Sequence, residues 1–223
     1  MSAKPQFLLS LAAVLTFSLF STQANLAVAE GMANLPASAE ETTPLKTGDQ
    51  APSFTVHTVD SEAYDFDPDS LERPTVLISF RGGWCPYCNL HLSELRNVVP
   101  ELREQGIDVL FLSGDAPDQL YSSLKQETQD DIAGLDYTIL SDANIEAAQA
   151  FGTAFSTGSG IKDYLTENDV DITEGSIGQH EALSVPFVYV VNKSGEIVFD
   201  FVEADYKVRL PSDELLAAAE SAM

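Results

Sequence analysis

Basic residues are scarce in this 223-residue chain: Lys and Arg number 11 against 35 Asp and Glu, for a net charge of −24. Nucleic-acid binding depends on Lys and Arg displacing counterions from phosphates, so a nucleic-acid partner is not expected. Anionic membrane surfaces are disfavoured for the same reason. Two cysteines are too few to staple a fold, which leaves an ordinary hydrophobic core to hold it. The three histidines, His57, His91 and His180, are dispersed and, with the two cysteines, do not reach zinc-ligand spacing. No apolar run has bilayer length. The longest, Phe7 to Phe20, falls short of the ~20 residues a spanning helix needs.

What is present is organised. Residues 1–29 carry one charge, Lys4, then that apolar run, then Ala27-Val28-Ala29. A charged start, a short apolar middle and a small-residue exit read as a secretory signal peptide, with an uncleaved membrane anchor as the alternative. Its removal leaves a net charge of −25 and no expected membrane association, and it implies an exported protein, periplasmic or extracellular. Residues 30–47 lack apolar periodicity and read as a flexible linker, with the folded domain at 48–223.

Within that domain apolar alternation and β-branched runs place strands at 53–59, 75–80, 107–112, 137–140, 187–191 and 197–202. Helical spacing places helices at 86–102, 117–127, 144–151 and 211–219. The acidic stretch 60–72 reads as loop and turns, and 154–181 as a loop-rich insertion with at most one short helix near Ile161 to Leu165. Alternating strands and helices followed by a hairpin predict an α/β fold, a central mixed sheet with helices on both faces.

The chemistry is concentrated in Phe80-Arg81-Gly82-Gly83-Trp84-Cys85-Pro86-Tyr87-Cys88. This run joins a buried strand to a helix. Pro86 suits the first helical position, which puts Cys85 at the helix start and Cys88 within its first turn. Unpaired N–H groups and the positive end of the helix dipole favour an anionic sulfur there. The thiolate is the nucleophilic form, and a spacing of three lets two sulfurs join. A structural disulfide would constrain little in so short a loop, so a redox pair is the reading adopted. Arg81 is a candidate to hold a thiolate or a peroxide oxygen, or else a surface ion pair. His91 lies one turn after Cys88, as a face partner or as a solvent-facing or satisfied histidine. Trp84 is a candidate substrate wall or a core filler. Asp65, Asp67 and Asp69 lack the Gly and distal Glu of a calcium loop and read as a solvated acidic loop.

Several segments resemble peroxiredoxins: Gly48-Asp49-Gln50-Ala51-Pro52-Ser53-Phe54, Leu140-Ser141-Asp142, Ala150-Phe151-Gly152, and the late Ala204-Asp205-Tyr206-Lys207-Val208-Arg209. The likeness runs over residues 48–220 and is to a peroxiredoxin-like branch of the alkyl hydroperoxide reductase and thiol-specific antioxidant family. It implies a thioredoxin-like fold with an N-terminal β-hairpin extension. It also implies a thiol peroxidase without a cofactor, acting on hydrogen peroxide or organic hydroperoxides and recycled by a thioredoxin-type or other dithiol. Cys88 falls at that family's attacking position, which makes Cys85 the resolving residue in place of the usual Thr. The chain departs from the pattern where an Arg is expected at the start of a later strand. Val185-Pro186-Phe187 stands there and resembles the cis-proline segment that faces the disulfide in thioredoxins. Two other readings stay open: a thiol–disulfide oxidoreductase with Cys85 as nucleophile, and a copper-binding module using both thiols and His180.

Overall fold

The computed structural model describes residues 34–223, so the expected signal peptide lies outside the described residues. Residues 36–223 form one compact unit. Nine strands occur there: β1 (Phe54–His57), β2 (Ala63–Phe66), β3 (Thr75–Phe80), β4 (Asp108–Ser113), β5 (Thr138–Ser141), β6 (Ala154–Ser156), β7 (Ala182–Ser184), β8 (Phe187–Val191) and β9 (Ile197–Val202). Seven of them make one sheet in the order β2-β1-β5-β4-β3-β8-β9. The β5-β4-β3 neighbours are parallel and the remaining pairs antiparallel, so the sheet is mixed as expected.

The centre of the sheet follows from side-chain alternation on β3, whose six residues are all buried. Val76, Ile78 and Phe80 face one cluster with the helices α1 (Pro86–Leu95), α2 (Val99–Glu104) and α7 (Ser212–Glu220). Leu77 faces the other, with Leu110, Leu112, Phe151 and Tyr189. A strand covered on both faces needs no polar alternation, which is why this one reads as a continuous apolar run. The remaining helices are α3 (Gln126–Ile132), α4 (Glu146–Ala150), α5 (Ser159–Glu167) and α6 (Ser176–His180). None among the described residues is long and apolar enough to cross a membrane.

Four segments differ from the sequence reading. The single helix expected over 86–102 is two, because Pro100 near the start of α2 has no N–H to continue the ladder. The segment 117–127 forms a 3-10 turn at Pro117–Gln119 and becomes α-helical only at its end, where α3 begins. The acidic stretch after β1 contains β2, which pairs with β1 from Phe54 opposite Phe66 to His57 opposite Ala63, closing the N-terminal hairpin. The 154–181 insertion carries α5, α6 and β6, and β6 pairs with β7.

Residues 36–47 do not behave as a free linker. The Leu45 amide donates to the Phe151 carbonyl at 3.1 Å, Tyr189 Oη donates to the Leu45 carbonyl at 2.9 Å, and Ser156 N–H donates to the Pro36 carbonyl at 2.8 Å. Lys46 pairs with Asp200 at 3.1 Å. The docking runs largely through backbone groups, which leave no apolar period in the sequence.

Asp142 closes the start of α4. Its carboxylate accepts the Ala147 and Ala148 amides, both at 2.9 Å, but burial still pushes its pKa from the ordinary 3.8 up to about 7. A carboxyl that holds its proton more tightly when folded contributes stability below its unfolded pKa and loses it as pH rises through the folded one. Stability should therefore fall between about pH 4 and pH 7 by on the order of 2–4 kcal/mol more in the native protein than in Asp142→Asn. Denaturant unfolding of both proteins at pH 4.5 and 7.5 checks this, and equal pH slopes would overturn it.

Candidate active site

The site forms where β3 ends and the chain turns into α1. Cys85 is the N-cap of α1, with extended φ and ψ of −85° and 115°, and Pro86 opens the helix. Cys88 follows inside the first turn. Its amide and that of Asn89 donate to the Cys85 carbonyl at 3.1 and 3.2 Å. Both cysteines are free thiols with 1% of their surface exposed.

The turn that delivers them is built for close approach. Gly82 has φ of +148°, a conformation L side chains rarely adopt. Gly83 lies against the 113–125 loop, where a Cβ would overlap Ser123 and come within 2.6 Å of the Leu124 nitrogen. Asp115 fastens this contact. Its Oδ2 accepts the Gly83 N–H at 2.7 Å, the Ser123 hydroxyl at 2.8 Å and the Ser113 hydroxyl at 3.1 Å. Burial raises the Asp115 pKa against these three donors. From the helix side, Asn89 Nδ2 donates to the Gly83 carbonyl at 2.6 Å and its Oδ1 accepts the Lys125 amide at 2.8 Å. Neither Asp115 nor Asn89 stood out in the sequence. Their role depends on the 113–125 loop folding over the glycine pair.

The two thiols share one charge unequally. A hydrogen bond from the Cys88 thiol outweighs the cost of burial and brings the Cys85 pKa from 9.0 to about 6. The Cys88 amide and the charges of Arg81 and Arg209 act in the same direction. Cys88 is pushed well up, first by burial and then by its proton's bond to Cys85. At neutral pH the anion therefore sits at the N-cap sulfur, where the helix dipole favours it.

Two guanidinium groups serve the pair. Arg81, 8% exposed, lies 5.2 Å from the centre of the Trp84 ring and 4.4 Å from that of Tyr206. Burial lowers its pKa, opposed by the charge of both sulfurs. It makes no ion pair among the described residues, so its surface-pair reading fails. Trp84 is half-buried and packs both on the cysteine side of the core and on the small cluster of Leu165, Ile172, Ile177 and Leu183. The second guanidinium was missed: Arg209 Nη2 lies 3.3 Å from Cys88 Sγ. It comes from the segment after β9, whereas the family pattern places an arginine before β8. The signal was the Ala204–Arg209 run itself, which resembled the family without suggesting a role.

Pro186 precedes β8 as expected, but it is not a cis-proline: no cis peptide bond occurs among the described residues. Ser79 Oγ accepts the Phe187 N–H at 2.9 Å and donates to the Val185 carbonyl at 3.4 Å, which holds both flanks of the proline extended against β3. His91 is not solvent-facing. It is 5% exposed, and burial lowers its pKa to about 4. No group of three or more His, Cys, Asp or Glu suited to a metal occurs among the described residues, so His180 does not complete a copper site with the thiols there.

The chain that carries this constellation, a thiol pair at a strand-to-helix turn with basic groups beside it, has relatives. The sequence profile of the AhpC/TSA family matches residues 47–200. The chain belongs to the AhpC/TSA family. This AhpC/TSA protein is 31% identical over 109 residues to the peroxiredoxin Bcp of Escherichia coli, covering 49% of this chain and 65% of that one. It is 24% identical over 107 residues to the thiol-disulfide oxidoreductase ResA of Halalkalibacterium halodurans, covering 48% and 57%. The chain thus spans less than two thirds of either curated relative's length. The crystal structure of a peroxiredoxin-like protein from Aquifex aeolicus superposes with a TM-score of 0.58 at 18% identity, covering 81% of this chain and 90% of that one. The AhpC/TSA fold of this chain is thus the thioredoxin-like one expected.

Proposed function

We propose that the protein is a thiol peroxidase in which Cys85 attacks and Cys88 resolves. The observation that carries this is the ionised N-cap sulfur of Cys85, lowered to about 6, with Cys88 one turn away and two guanidiniums at hand. This exchanges the roles that the family resemblance implied, because the helix end and the Cys88 proton stabilise charge on the first sulfur.

In this reading the Cys85 thiolate bonds to the terminal oxygen of a hydroperoxide. The O–O bond breaks, the peroxide's proton passes to the departing oxygen, and an alcohol or water leaves. Cys85 remains as a sulfenate. The Cys88 thiol then attacks the sulfenate sulfur. The S–S bond forms and hydroxide departs with the Cys88 proton. A thioredoxin-type dithiol returns two electrons and two protons, restoring both thiols. Arg81 and Arg209 offset the charge that develops on oxygen. Residues 1–29 fit an export signal, which would place this cycle in the periplasm or outside the cell.

A groove of about 290 Å³ adjoins Arg81 and is walled by Phe155, Ile161, Val185, Pro186 and Tyr206. Its apolar walls suit the tail of an organic hydroperoxide. Ile161→Asp should raise the KM for cumene hydroperoxide ~10-fold, the effect of about 1.4 kcal/mol of lost apolar contact, and leave hydrogen peroxide within about twofold. An equal change for both substrates would remove the groove from the reading.

The second reading, a thiol–disulfide oxidoreductase, draws on the same acidic Cys85 and on the likeness to ResA. One assay separates the two. The protein is given hydrogen peroxide, cumene hydroperoxide or a disulfide-bonded test protein, each with thioredoxin and its reductase. Peroxide consumption that depends on Cys85 supports the first. Disulfide reduction with no peroxide consumption replaces it with the second.

A further inference from the structure

Within the Ala204–Arg209 run, Tyr206 walls the groove but has no part in the cycle above. The run folds as a tight turn after β9. Val208 N–H donates to the Asp205 carbonyl at 2.9 Å, and Lys207 N–H donates to the Asp205 carboxylate at 3.1 Å. Glu203 N–H donates to the Pro186 carbonyl at 3.4 Å, which ties the turn to the start of β8. The turn sets the centre of the Tyr206 ring 4.4 Å from the Arg81 guanidinium carbon and 5.7 Å from the Tyr87 ring, edge to face. Arg81 has little else to orient it. It makes no ion pair among the described residues, and its Nε is buried without a hydrogen-bond partner. The other ring beside it, Trp84, stands farther off at 5.2 Å. Arg81 and Tyr206 line the same groove.

We propose that Tyr206 is the positioning residue for Arg81: its ring holds the guanidinium at the groove, where a hydroperoxide lies to meet Cys85. A cation is drawn to the face of an aromatic ring, and more strongly where water is kept away. Arg81 is 8% exposed, so little water competes. A long side chain without an ion pair has several rotamers open to it, and the ring contact selects one of them. Lys207 lies 5.8 Å from the same ring, but it is exposed and keeps its hydration, so its claim on the ring is weaker. Arg209 stems from the same turn, yet it reaches Cys88 through its own 3.3 Å contact and does not depend on the Tyr206 ring. Tyr206 therefore acts through Arg81 on the attack step, in which charge builds on the peroxide oxygen. The kinetic consequence rests on the peroxidase reading, whereas the coupling of Tyr206 to Arg81 does not.

The test reads peroxide kinetics and Cys85 ionisation together. Tyr206→Leu keeps an apolar wall but removes the ring. It should lower kcat/KM ~10-fold, equally for hydrogen peroxide and cumene hydroperoxide. A ring that only walled the groove would cost cumene hydroperoxide alone. Tyr206→Phe keeps the ring and should recover to within about threefold of the parent. Arg81→Met should lose at least as much as Tyr206→Leu, and the two together no more than Arg81→Met by itself. Combined with Arg209→Met, by contrast, the Tyr206→Leu loss should multiply in full. In a Cys88→Ser background Cys85 titrates alone, followed by the ultraviolet absorbance of its thiolate. There Tyr206→Leu should raise the midpoint by about half a pH unit, and by nothing further on top of Arg81→Met. Losses that multiply between Tyr206 and Arg81, a loss confined to cumene hydroperoxide, or an unmoved midpoint would each overturn the proposal. Midpoints coupled in this way in a protein that consumes no peroxide would uphold Tyr206 as the positioning residue and reject the peroxidase reading instead.

Discussion

Cys85→Ser is expected to lower peroxide turnover by at least ~10³-fold, because the substituted oxygen is a weak nucleophile at neutral pH and no other thiolate remains to attack. Cys88→Ser should behave differently. It should consume about one equivalent of peroxide in a single burst and stall as the Cys85 sulfenic acid, since nothing can condense with it. Stopped-flow peroxide consumption and dimedone trapping followed by mass spectrometry distinguish the two. A sulfenic acid trapped on Cys88 in Cys85→Ser, formed at the native rate, would return attack to Cys88. The pH profile adds a signature. The Cys85 pKa is lowered from 9.0 to about 6, so the attack rate should be flat above pH 7 and fall tenfold per pH unit well below 6. An unperturbed thiol would give a profile still rising at pH 8.

Gly83→Ala should be strongly damaging for a single added methyl. Its Cβ would overlap Ser123 and stand 2.6 Å from the backbone nitrogen of Leu124, which a side-chain rotation cannot relieve. Separating the turn from the 113–125 loop also strains the Gly83 N–H bond to Asp115, a buried carboxylate with no solvent to replace it. Overpacking and a weakened buried hydrogen bond together should cost about 3 kcal/mol of folding stability. Urea denaturation measures it. Gly134→Ala is the control: Gly134 has positive φ, which Gly83 lacks, but a Cβ there meets nothing within 4 Å, so it should cost only about 1 kcal/mol of backbone strain. Equal losses at the two glycines would mean that the fit against Ser123 and Leu124 carries no energy.

The two predictions depend on different kinds of information. The Cys85 prediction uses features visible in one stretch of chain: two sulfurs three apart, a proline at the first helical position and a strand before it. The Gly83 prediction needs the 113–125 loop, whose sequence suggested a helix at 117–127. That loop has a different conformation because Asp115, Ser123 and Lys125 are occupied with the turn and the start of α1. The unmarked second strand of the N-terminal hairpin is a similar case. Of residues 63–66 only Phe66 is buried, so four residues carry little apolar signal, and pairing with β1 defines them.

The local order of the chain was settled within short windows of residues: buried strands from β-branched apolar runs, turns from glycine, and an acidic thiol from its place at a helix end. Windows of that length capture such features because hydrophobic period, backbone freedom and helix dipole all act over one or two turns. Arg209 reaching Cys88 across 121 positions, the trans bond at Pro186, the burial of His91 and the burial of Asp115 were decided only by packing. Each depends on which distant segment comes to lie alongside. A partner's identity across a sheet or a core is set by the whole fold and leaves no period in the residues that meet.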